Sequence, residues 1–283
     1  MNRKNIIAVV FDFDDTLGPD STSALLESLR VEVPSFWESV EDMYLEQWDP
    51  VLAYLYKMIE LSKSSPSDKK ITQELLQEWG KKLTLYNGVE DIFSHLREIV
   101  SNASSQIELE FYIISSGLEE VLRSSVISHN FKDIWGCGFN YDAKGAISFP
   151  KRIVNFTDKT RYLYQITKGL IGTEFRQKPF EVNRKFSASE IRIPFDQMIF
   201  VGDGFNDIPC FSLLGKEGGV PLAVCDPESR KTWGKAWGFM EDKRVTHWAM
   251  ANYQKGSTLH GSLCMAVEAL VKRIEIQSHF YQG

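Results

Sequence analysis

Four short apolar runs recur along the chain, and each is followed directly by polar residues. They occupy residues 6–13, 109–114, 198–201 and 220–224. Runs of this length that are apolar at nearly every position are typical of buried strands in a parallel sheet. Helical patterns lie between them, at residues 89–100, 118–128, 160–167 and 208–214. The alternation of strand and helix predicts an α/β fold built on a doubly wound parallel sheet.

The polar residues at the ends of these predicted strands are the first candidates for chemistry. The first strand ends in carboxylates, the second in Ser-Ser-Gly and the third in Gly-Asp-Gly. In doubly wound sheets, ligands bind just beyond the carboxyl ends of the strands. The sequence therefore predicts a functional site where these three segments meet.

Residues 18–85, between the first two strands, differ in character, because their patterns are helical only. Ser35 and Glu38 have the spacing of a capping box, and Asp49-Pro50 has that of an N-cap followed by proline at the first helical position. We therefore expect an inserted helical unit. Its charges are 7 basic and 12 acidic, which gives −5 of the chain's formal −6. A solvated helical surface is the simpler interpretation of this charge, and an electrostatic filter over the site is the alternative.

Three later segments complete the predicted organisation. Residues 135–141 and 147–149, joined by a glycine-containing turn, predict a β-hairpin. Ser257 is expected to cap a final helix. Residues 173–189 are charged and loop-like, and their pattern indicates no role.

Composition narrows the class of protein. The chain has 283 residues, of which 43% are hydrophobic and 25% charged, as expected for one globular domain with an insertion or for two domains. The net charge of −6 argues against nucleic acid or an anionic membrane as the main partner. The four cysteines form no CxxC pair, and no apolar stretch reaches 18 residues. We therefore expect a cytoplasmic protein with reduced thiols.

The segment Asp12-Phe13-Asp14 carries the strongest chemical signal. Alternation along a strand places Asp12 and Asp14 on the same side. A divalent cation would offset the repulsion of two such carboxylates, so that one can act as a nucleophile and the other as a general acid and base. An aspartate carboxylate can attack phosphorus to form an aspartyl-phosphate.

Four segments in order resemble the four motifs of the haloacid dehalogenase superfamily. DFDDT at residues 12–16 resembles the first motif, DxDx[TV], and YIISSG at residues 112–117 resembles the second. Lys159 resembles the lysine of the third motif, and GDGFND at residues 202–207 resembles the acidic loop GDxxxD of the fourth.

The resemblance implies a role for each matching residue. Asp12 would be the nucleophile and Asp14 the general acid and base, with Lys159 holding the nucleophile and the phosphate together. The groups expected to bind phosphate are Ser115, Ser116, Gly117 and Lys159. The expected ligands of Mg²⁺ are Asp12, the backbone carbonyl of Asp14, and Asp203. Asp207, with Asn206, is expected to orient the metal's waters.

Two of these assignments have a neighbouring rival. Lys168 could replace Lys159, but a cation at the far end of the predicted helix is explained by the helix dipole, whereas a cation at its start requires another partner. Ser116 competes with Ser115, and the family spacing Ser-x-Gly selects Ser115 as the main phosphate ligand.

The resemblance also implies an architecture. The helical insertion is similar to the type-one cap of phosphoserine phosphatase-like members. Residues 1–17 and 86–283 would then form the catalytic core, and residues 18–85 the cap. Such a cap closes over small substrates and excludes water.

The expected activity is Mg²⁺-dependent hydrolysis of a small phosphorylated metabolite, because an acid at Asp14 is typical of phosphatases and phosphomutases rather than dehalogenases or transport ATPases. A phosphomutase and a non-catalytic binding protein on the same core are the alternatives. Glu-rich motifs usually follow the first motif in phosphoserine phosphatases, whereas this chain has Gly18-Pro19-Asp20-Ser21. Serine phosphate is therefore in doubt as the substrate, and the oligomeric state stays open.

Overall fold

Seven strands form one sheet at the centre of the protein, in the order β4-β3-β2-β1-β5-β6-β7. The computed structural model describes residues 5–226, 242 and 244–280. The strands are β1 (Ile6–Phe11), β2 (Glu108–Leu118), β3 (Phe131–Tyr141), β4 (Ile147–Arg152), β5 (Met198–Gly202), β6 (Val220–Cys225) and β7 (His247–Met250). Neighbouring strands are parallel, except for the antiparallel pair β3 and β4. The predicted hairpin is this antiparallel pair.

Helices separate the strands in the described residues. They are α1 (Ser21–Ser28), α2 (Val33–Leu45), α3 (Pro50–Ser64), α4 (Gln73–Gly80), α5 (Val89–Ala103), α6 (Glu119–Arg123), α7 (Phe156–Lys168), α8 (Thr173–Arg176), α9 (Ile208–Lys216) and α10 (Thr258–Phe280). Short 3₁₀ turns occupy Ser67–Lys69, Ser128–Asn130, Glu181–Asn183, Phe195–Gln197 and Phe205–Asp207. The predicted α/β fold class, with an inserted helical unit formed by α1 to α4, is confirmed.

The two faces of the sheet bury separate hydrophobic clusters. Ala8 and Val10 of β1 belong to a cluster that includes residues of α7, α9 and the inserted helices. Ile7 and Val9 face the other way, into a cluster with α5 and α10. Because both faces are covered, every residue of β1 is buried, which explains why the strand is apolar at each position.

The inserted helices are attached to the hairpin as well as to the strand ends. Thr72, just before α4, forms an isolated antiparallel bridge with Ala146, just before β4. The Gln73 amide donates to the Gly145 carbonyl at 3.1 Å, and the Ile147 amide donates to the Ile71 carbonyl at 2.9 Å. These bonds link the insertion to the hairpin backbone.

Helix starts in the insertion follow the predictions in one case and not in the other. Asp49 caps α3, since its carboxylate accepts from the amides of Val51 and Leu52. The prediction that Ser35 is an N-cap is wrong, because α2 begins two residues earlier, at Val33. Glu32 is the cap instead, and its carboxylate accepts from the Ser35 amide at 2.8 Å. Pro34 favours this start, since proline fits the first turn of a helix.

Other strand and helix boundaries also differ from those predicted from the sequence. Strand β2 continues to Leu118, which is paired with Cys137 of β3, so the Ser-Ser-Gly segment lies within the strand rather than after it. Helix α6 is correspondingly short. Helix α7 begins at Phe156, with Asn155 as its N-cap, and Lys159 therefore lies in its first turn. Ser257 precedes α10 and its hydroxyl accepts from the His260 amide at 3.2 Å, as predicted.

Residues 173–189, whose role the sequence left open, are partly anchored by a buried ion-pair network. Arg176 donates to Glu119 at 2.6 Å and to Asp133 at 2.9 Å. Arg123 contacts the same two carboxylates, and Arg152 contacts Glu119. Burial raises the pKa of Asp133, but the hydrogen bonds from Arg123 and the Gly172 amide outweigh burial and hold this pKa below its ordinary value. This network joins α8 to α6, β3 and β4.

None of the helices that the structure describes combines the length and the apolar character that a membrane span requires.

Candidate active site

Three neighbouring strands deliver polar residues to one edge of the sheet. Asp12 directly follows β1, and its amide donates to the Val201 carbonyl of β5 at 2.9 Å. Ser115 lies near the end of β2, and Asp203 directly follows β5. Because β1 lies between β2 and β5 in the sheet, these residues converge at the carboxyl ends of the strands, as the sequence predicts.

A buried lysine joins two carboxylates in this site. The Lys159 ammonium donates to Asp12 Oδ2 at 2.6 Å and to Asp207 Oδ1 at 2.7 Å. Lys159 and Asp207 are fully buried, and Asp12 is nearly so. Burial lowers the pKa of Lys159, but the two adjacent carboxylates outweigh burial and raise this pKa above its ordinary value. The side chain therefore remains a cation.

The rival lysine is placed elsewhere. Lys168, at the end of α7, donates to the backbone carbonyls of Val182 at 2.6 Å and Arg184 at 2.7 Å. These bonds anchor the segment that follows α8, and they account for Lys168 structurally. Of the two lysines, Lys159 is the one that contacts Asp12.

Three carboxylates lie close enough to share a metal ion. Oxygen atoms of Asp12, Asp203 and Asp207 all lie within 4.8 Å of one another. Burial raises the pKa of Asp203 well above its ordinary value, and the negative charges of Asp207, Asp12 and Asp15 raise it further. Burial likewise raises the pKa of Asp207 to about 6, in spite of Lys159. This excess of buried negative charge, offered by hard oxygen donors, fits Mg²⁺.

Asp14 has different surroundings from Asp12. Its Oδ1 accepts from the Ser21 amide at 2.8 Å. Burial, together with the negative charges of Asp20 and Asp12, raises the pKa of Asp14 to about 8. The Asp14 carboxyl can therefore carry a proton near neutral pH, whereas Asp12 is paired with a cation.

Gly117 keeps the space beside Asp14 open. A Cβ atom at this position would lie 2.7 Å from Asp14 Oδ2 and 3.3 Å from Ser115 Oγ. The first distance is too short unless the Asp14 carboxylate moves, so glycine at this position lets Asp14 keep its place beside β2.

The two neighbouring serines use their hydroxyls differently. Ser115 Oγ accepts from the Gly117 amide at 3.0 Å, which leaves its own O–H able to donate to a ligand. Ser116 Oγ donates instead to the Val154 carbonyl at 2.8 Å. Both residues line the site, but the Ser116 proton is committed to the backbone.

A cavity of about 360 Å³ opens above these groups. Its floor includes Asp12, Asp14, Ser115, Gly117, Asp203 and Asn206. Its wall comes from the inserted helices and contains Asp20, Thr22, Trp37, Tyr44, Pro50, Val51 and Tyr54. Sequence reasoning found the floor but missed the wall, because no local pattern distinguishes a helical aromatic that faces a cavity from one that faces a core.

Comparison with known proteins gives a distant sequence relative. No protein-family model matches the chain. A protein of Borreliella burgdorferi, described as uncharacterized, is 28% identical in an alignment 296 residues long that covers 94% of this chain and 99% of the relative.

Solved structures give a closer guide to the fold. A HAD-family hydrolase from Salmonella enterica serovar Typhi aligns with 87% of this chain and 67% of its own, at 14% identity and a TM-score of 0.55. A phosphoserine phosphatase, solved as a phospho-aspartyl intermediate analogue, aligns with 87% of this chain and 93% of its own, at 14% identity and a TM-score of 0.52. A probable phosphoserine phosphatase from Vibrio cholerae covers 95% of this chain and 67% of its own, at 10% identity and a TM-score of 0.54. At such identities the likeness is one of fold.

Proposed function

On the haloacid dehalogenase-like fold that the chain shares with these structures, we propose a Mg²⁺-dependent phosphatase that hydrolyses small phosphomonoesters through an aspartyl-phosphate at Asp12. The observation that carries this proposal is the buried contact of Asp12 with Lys159, at 2.6 Å, at the floor of a cavity also lined by Asp14 and Asp203. A nucleophile, a fixed cation, a proton donor and further carboxylates for a metal thus surround one space.

Asp12 is oriented for attack by two hydrogen bonds. Its Oδ1 accepts from the Phe13 amide at 2.7 Å, and its Oδ2 accepts from Lys159. In the first step a carboxylate oxygen of Asp12 bonds to phosphorus while the bond from phosphorus to the substrate oxygen breaks. The Asp14 carboxyl gives its proton to the departing oxygen, so that an alcohol leaves.

The second step uses the same two aspartates in the opposite sense. The Asp14 carboxylate, now without its proton, accepts one from a water molecule that attacks the phosphorus of the aspartyl-phosphate. The bond between phosphorus and Asp12 breaks, inorganic phosphate forms, and both side chains return to their starting states.

Charge on the transferred group is offset by groups of this chain. Lys159 supplies a fixed ammonium and Ser115 a free hydroxyl donor. Preorganised donors of this kind stabilise a phosphoryl transition state more than they stabilise the substrate. Asp12, the Asp14 carbonyl and Asp203 would hold Mg²⁺. Asp207, which contacts Lys159, would orient the waters of the ion. When bound, the ion supplies further neutralisation of phosphate charge.

The direct test replaces the nucleophile. Asp12→Asn removes the attacking carboxylate with little change of shape, and we expect release of inorganic phosphate from a panel of monoesters with Mg²⁺ to fall by about 10³-fold or more. Asp42→Asn, an exposed aspartate of α2, is the matched control. Turnover of the Asp12→Asn protein close to that of the control would contradict the mechanism.

A phosphomutase and a non-catalytic binding protein are the two alternatives, and a reaction in ¹⁸O-labelled water separates them from a phosphatase. A phosphatase puts one oxygen of H₂¹⁸O into the released phosphate. A phosphomutase instead returns the phosphoryl group to a second hydroxyl and releases little phosphate. A non-catalytic binding protein gives neither product and forms no acid-stable phosphoprotein intermediate that depends on Asp12.

A further inference from the structure

The wall of the cavity that comes from the inserted helices is aromatic. Trp37 and Tyr44 come from α2 and Tyr54 from α3, and Pro50 and Val51 extend the same surface. The rings of Trp37 and Tyr54 have centroids 6.1 Å apart and planes inclined at 52°. A leaving group attached to a phosphate on the floor would therefore lie in a cavity that these rings help to line.

The polar atoms of two of these rings, Trp37 and Tyr54, are already used by the protein. Trp37 Nε1 donates to Ser23 Oγ at 2.8 Å. The Tyr54 hydroxyl donates to the Ser116 carbonyl at 2.6 Å. These bonds fix both rings and leave their π surfaces, rather than their donors, as what they offer to a ligand.

The part of the cavity lining that the structure describes contains five aspartates and no Lys, Arg or His. The aspartates are Asp12, Asp14, Asp15, Asp20 and Asp203. The site's cation, Lys159, lies below the floor in contact with Asp12 and Asp207. On the aromatic wall, Asp20 is held in place by the amides of Thr22 and Ser23. A second anionic group on a substrate would therefore meet carboxylates without a cation to pair with.

From this wall we infer the class of substrate: a phosphomonoester whose alcohol carries an alkylammonium cation and no second anion. The inference rests on the proposed function, because it concerns the leaving-group side of the same cavity. Aromatic faces attract such a cation through their quadrupoles, and a neighbouring carboxylate adds to the attraction.

The discriminating experiment compares two esters of the same shape. Choline phosphate and 3,3-dimethylbutyl phosphate differ in one atom, a quaternary nitrogen in place of a carbon. Isothermal titration of each into the Asp12→Asn protein with Mg²⁺ measures binding without turnover. We expect choline phosphate to bind about tenfold more tightly, and O-phosphoserine, which adds a carboxylate, to bind more weakly than choline phosphate. Equal affinity for the two isosteric esters, or tighter binding of the neutral one, would overturn the inference.

Variants then assign the preference to residues. Asp20→Asn keeps a good helix cap but removes the charge, and Trp37→Leu keeps apolar bulk but removes the π surface. Each is expected to bring the ratio of the two dissociation constants toward one, by about threefold or more. Asp42→Asn, whose side chain is exposed on α2 and does not line the cavity, should leave the ratio unchanged. A ratio that resists both cavity variants would also overturn the inference.

Turnover separates this inference from the function on which it rests. Hydrolysis of both esters by the unmodified protein with equal kcat/KM would leave the phosphatase standing and reject the cationic substrate. Selective binding of choline phosphate, with no phosphate released from any ester, would reject the phosphatase and support the cation site.

Discussion

Asp12 and Asp14 are chemically identical side chains whose surroundings divide the work between them. The Lys159 ammonium pairs with Asp12. Asp14 lies beside Asp20, and burial raises its pKa to about 8. One carboxylate paired with a cation and one carboxyl with a raised pKa, in the same cavity, is the arrangement expected of a nucleophile with a general acid.

Replacement of Asp14 by Asn should reveal the proton transfer. Without an acid, departure of an alkoxide is slow, so we expect phosphate release from alkyl phosphates to fall by about 10²- to 10⁴-fold. Release from p-nitrophenyl phosphate should fall less, because p-nitrophenolate leaves without a proton. Steady-state rates for both esters give the comparison, and an equal loss for the two would argue that Asp14 acts in some other way.

Gly117→Ala should disturb the same carboxyl without removing it. The added Cβ would lie 2.7 Å from Asp14 Oδ2 and must displace it. We expect kcat/KM for alkyl phosphates to fall by about 10- to 100-fold, since misplacement of a catalytic group by about 1 Å costs this much. Gly261→Ala, in α10, is the matched control, because its Cβ would meet no atom within 4 Å. Unchanged kinetics in Gly117→Ala would mean that the position of Asp14 is not critical.

The elements that deliver these residues were predictable where local pattern decides the structure. Buried parallel strands are apolar at every position, and this located β1, β2 and β5 with the polar residues near their carboxyl ends, although β2 continues four residues beyond its predicted end. The contact between Lys159 and Asp207 was not predictable in this way. It depends on α7 starting at Phe156 with Asn155 as its N-cap, and the apolar residue Phe156 obscures this cap in the sequence. The aromatic wall depends on how α2 and α3 pack, which is a tertiary property.

Strand β2 is also tied to the segment before β5 by a buried ion pair. Both guanidinium nitrogens of Arg192 donate to Glu110, at 2.5 and 2.6 Å, and the Tyr112 hydroxyl donates to it at 2.5 Å. Burial raises the pKa of Glu110, but these bonds outweigh burial and bring the pKa below its ordinary value of 4.5. A carboxyl with a lowered pKa in the folded state stabilises the fold above the unfolded pKa and loses this effect as pH falls.

Glu110→Gln should therefore lower the free energy of unfolding at pH 7 by about 2 kcal/mol. The difference from the unmodified protein should shrink as the pH falls below 4.5, the ordinary pKa of the carboxyl. Urea titrations at several pH values between about pH 3 and pH 7 measure both effects. Glu98→Gln, an exposed glutamate of α5, is the control, and a difference that does not vary with pH would contradict the assignment.

At the scale of the whole molecule, the inserted helices and the sheet share one hydrophobic cluster. Leu55 and Met58 of α3 belong to the same cluster as Ala8 of β1 and Phe200 of β5. A cluster that spans both parts couples their stability, so neither part is expected to unfold alone.

Denaturant unfolding should therefore be a single transition. Tryptophan fluorescence, with reporters in the insertion and in β3, and far-UV circular dichroism should give the same midpoint. Met58→Ala should shift both probes together by about 2–4 kcal/mol, while Met265→Ala, at a site 64% exposed on α10, should shift neither. A fluorescence transition at lower denaturant than the loss of secondary structure would show that the insertion unfolds by itself.

The backbone bridge between Thr72 and Ala146 limits how the cavity can open. Because the end of the insertion near α4 is bonded to the hairpin, a hinge motion that preserves these bonds must pivot about the hairpin and lift α1 and α2. During ligand entry, the end of the insertion near α4 would then stay bonded to the hairpin, while the end that holds α1 and α2 moves away from the site. Amide hydrogen exchange would accordingly stay slow at Gln73 and Ile147 while it responds to ligand in α1 and α2.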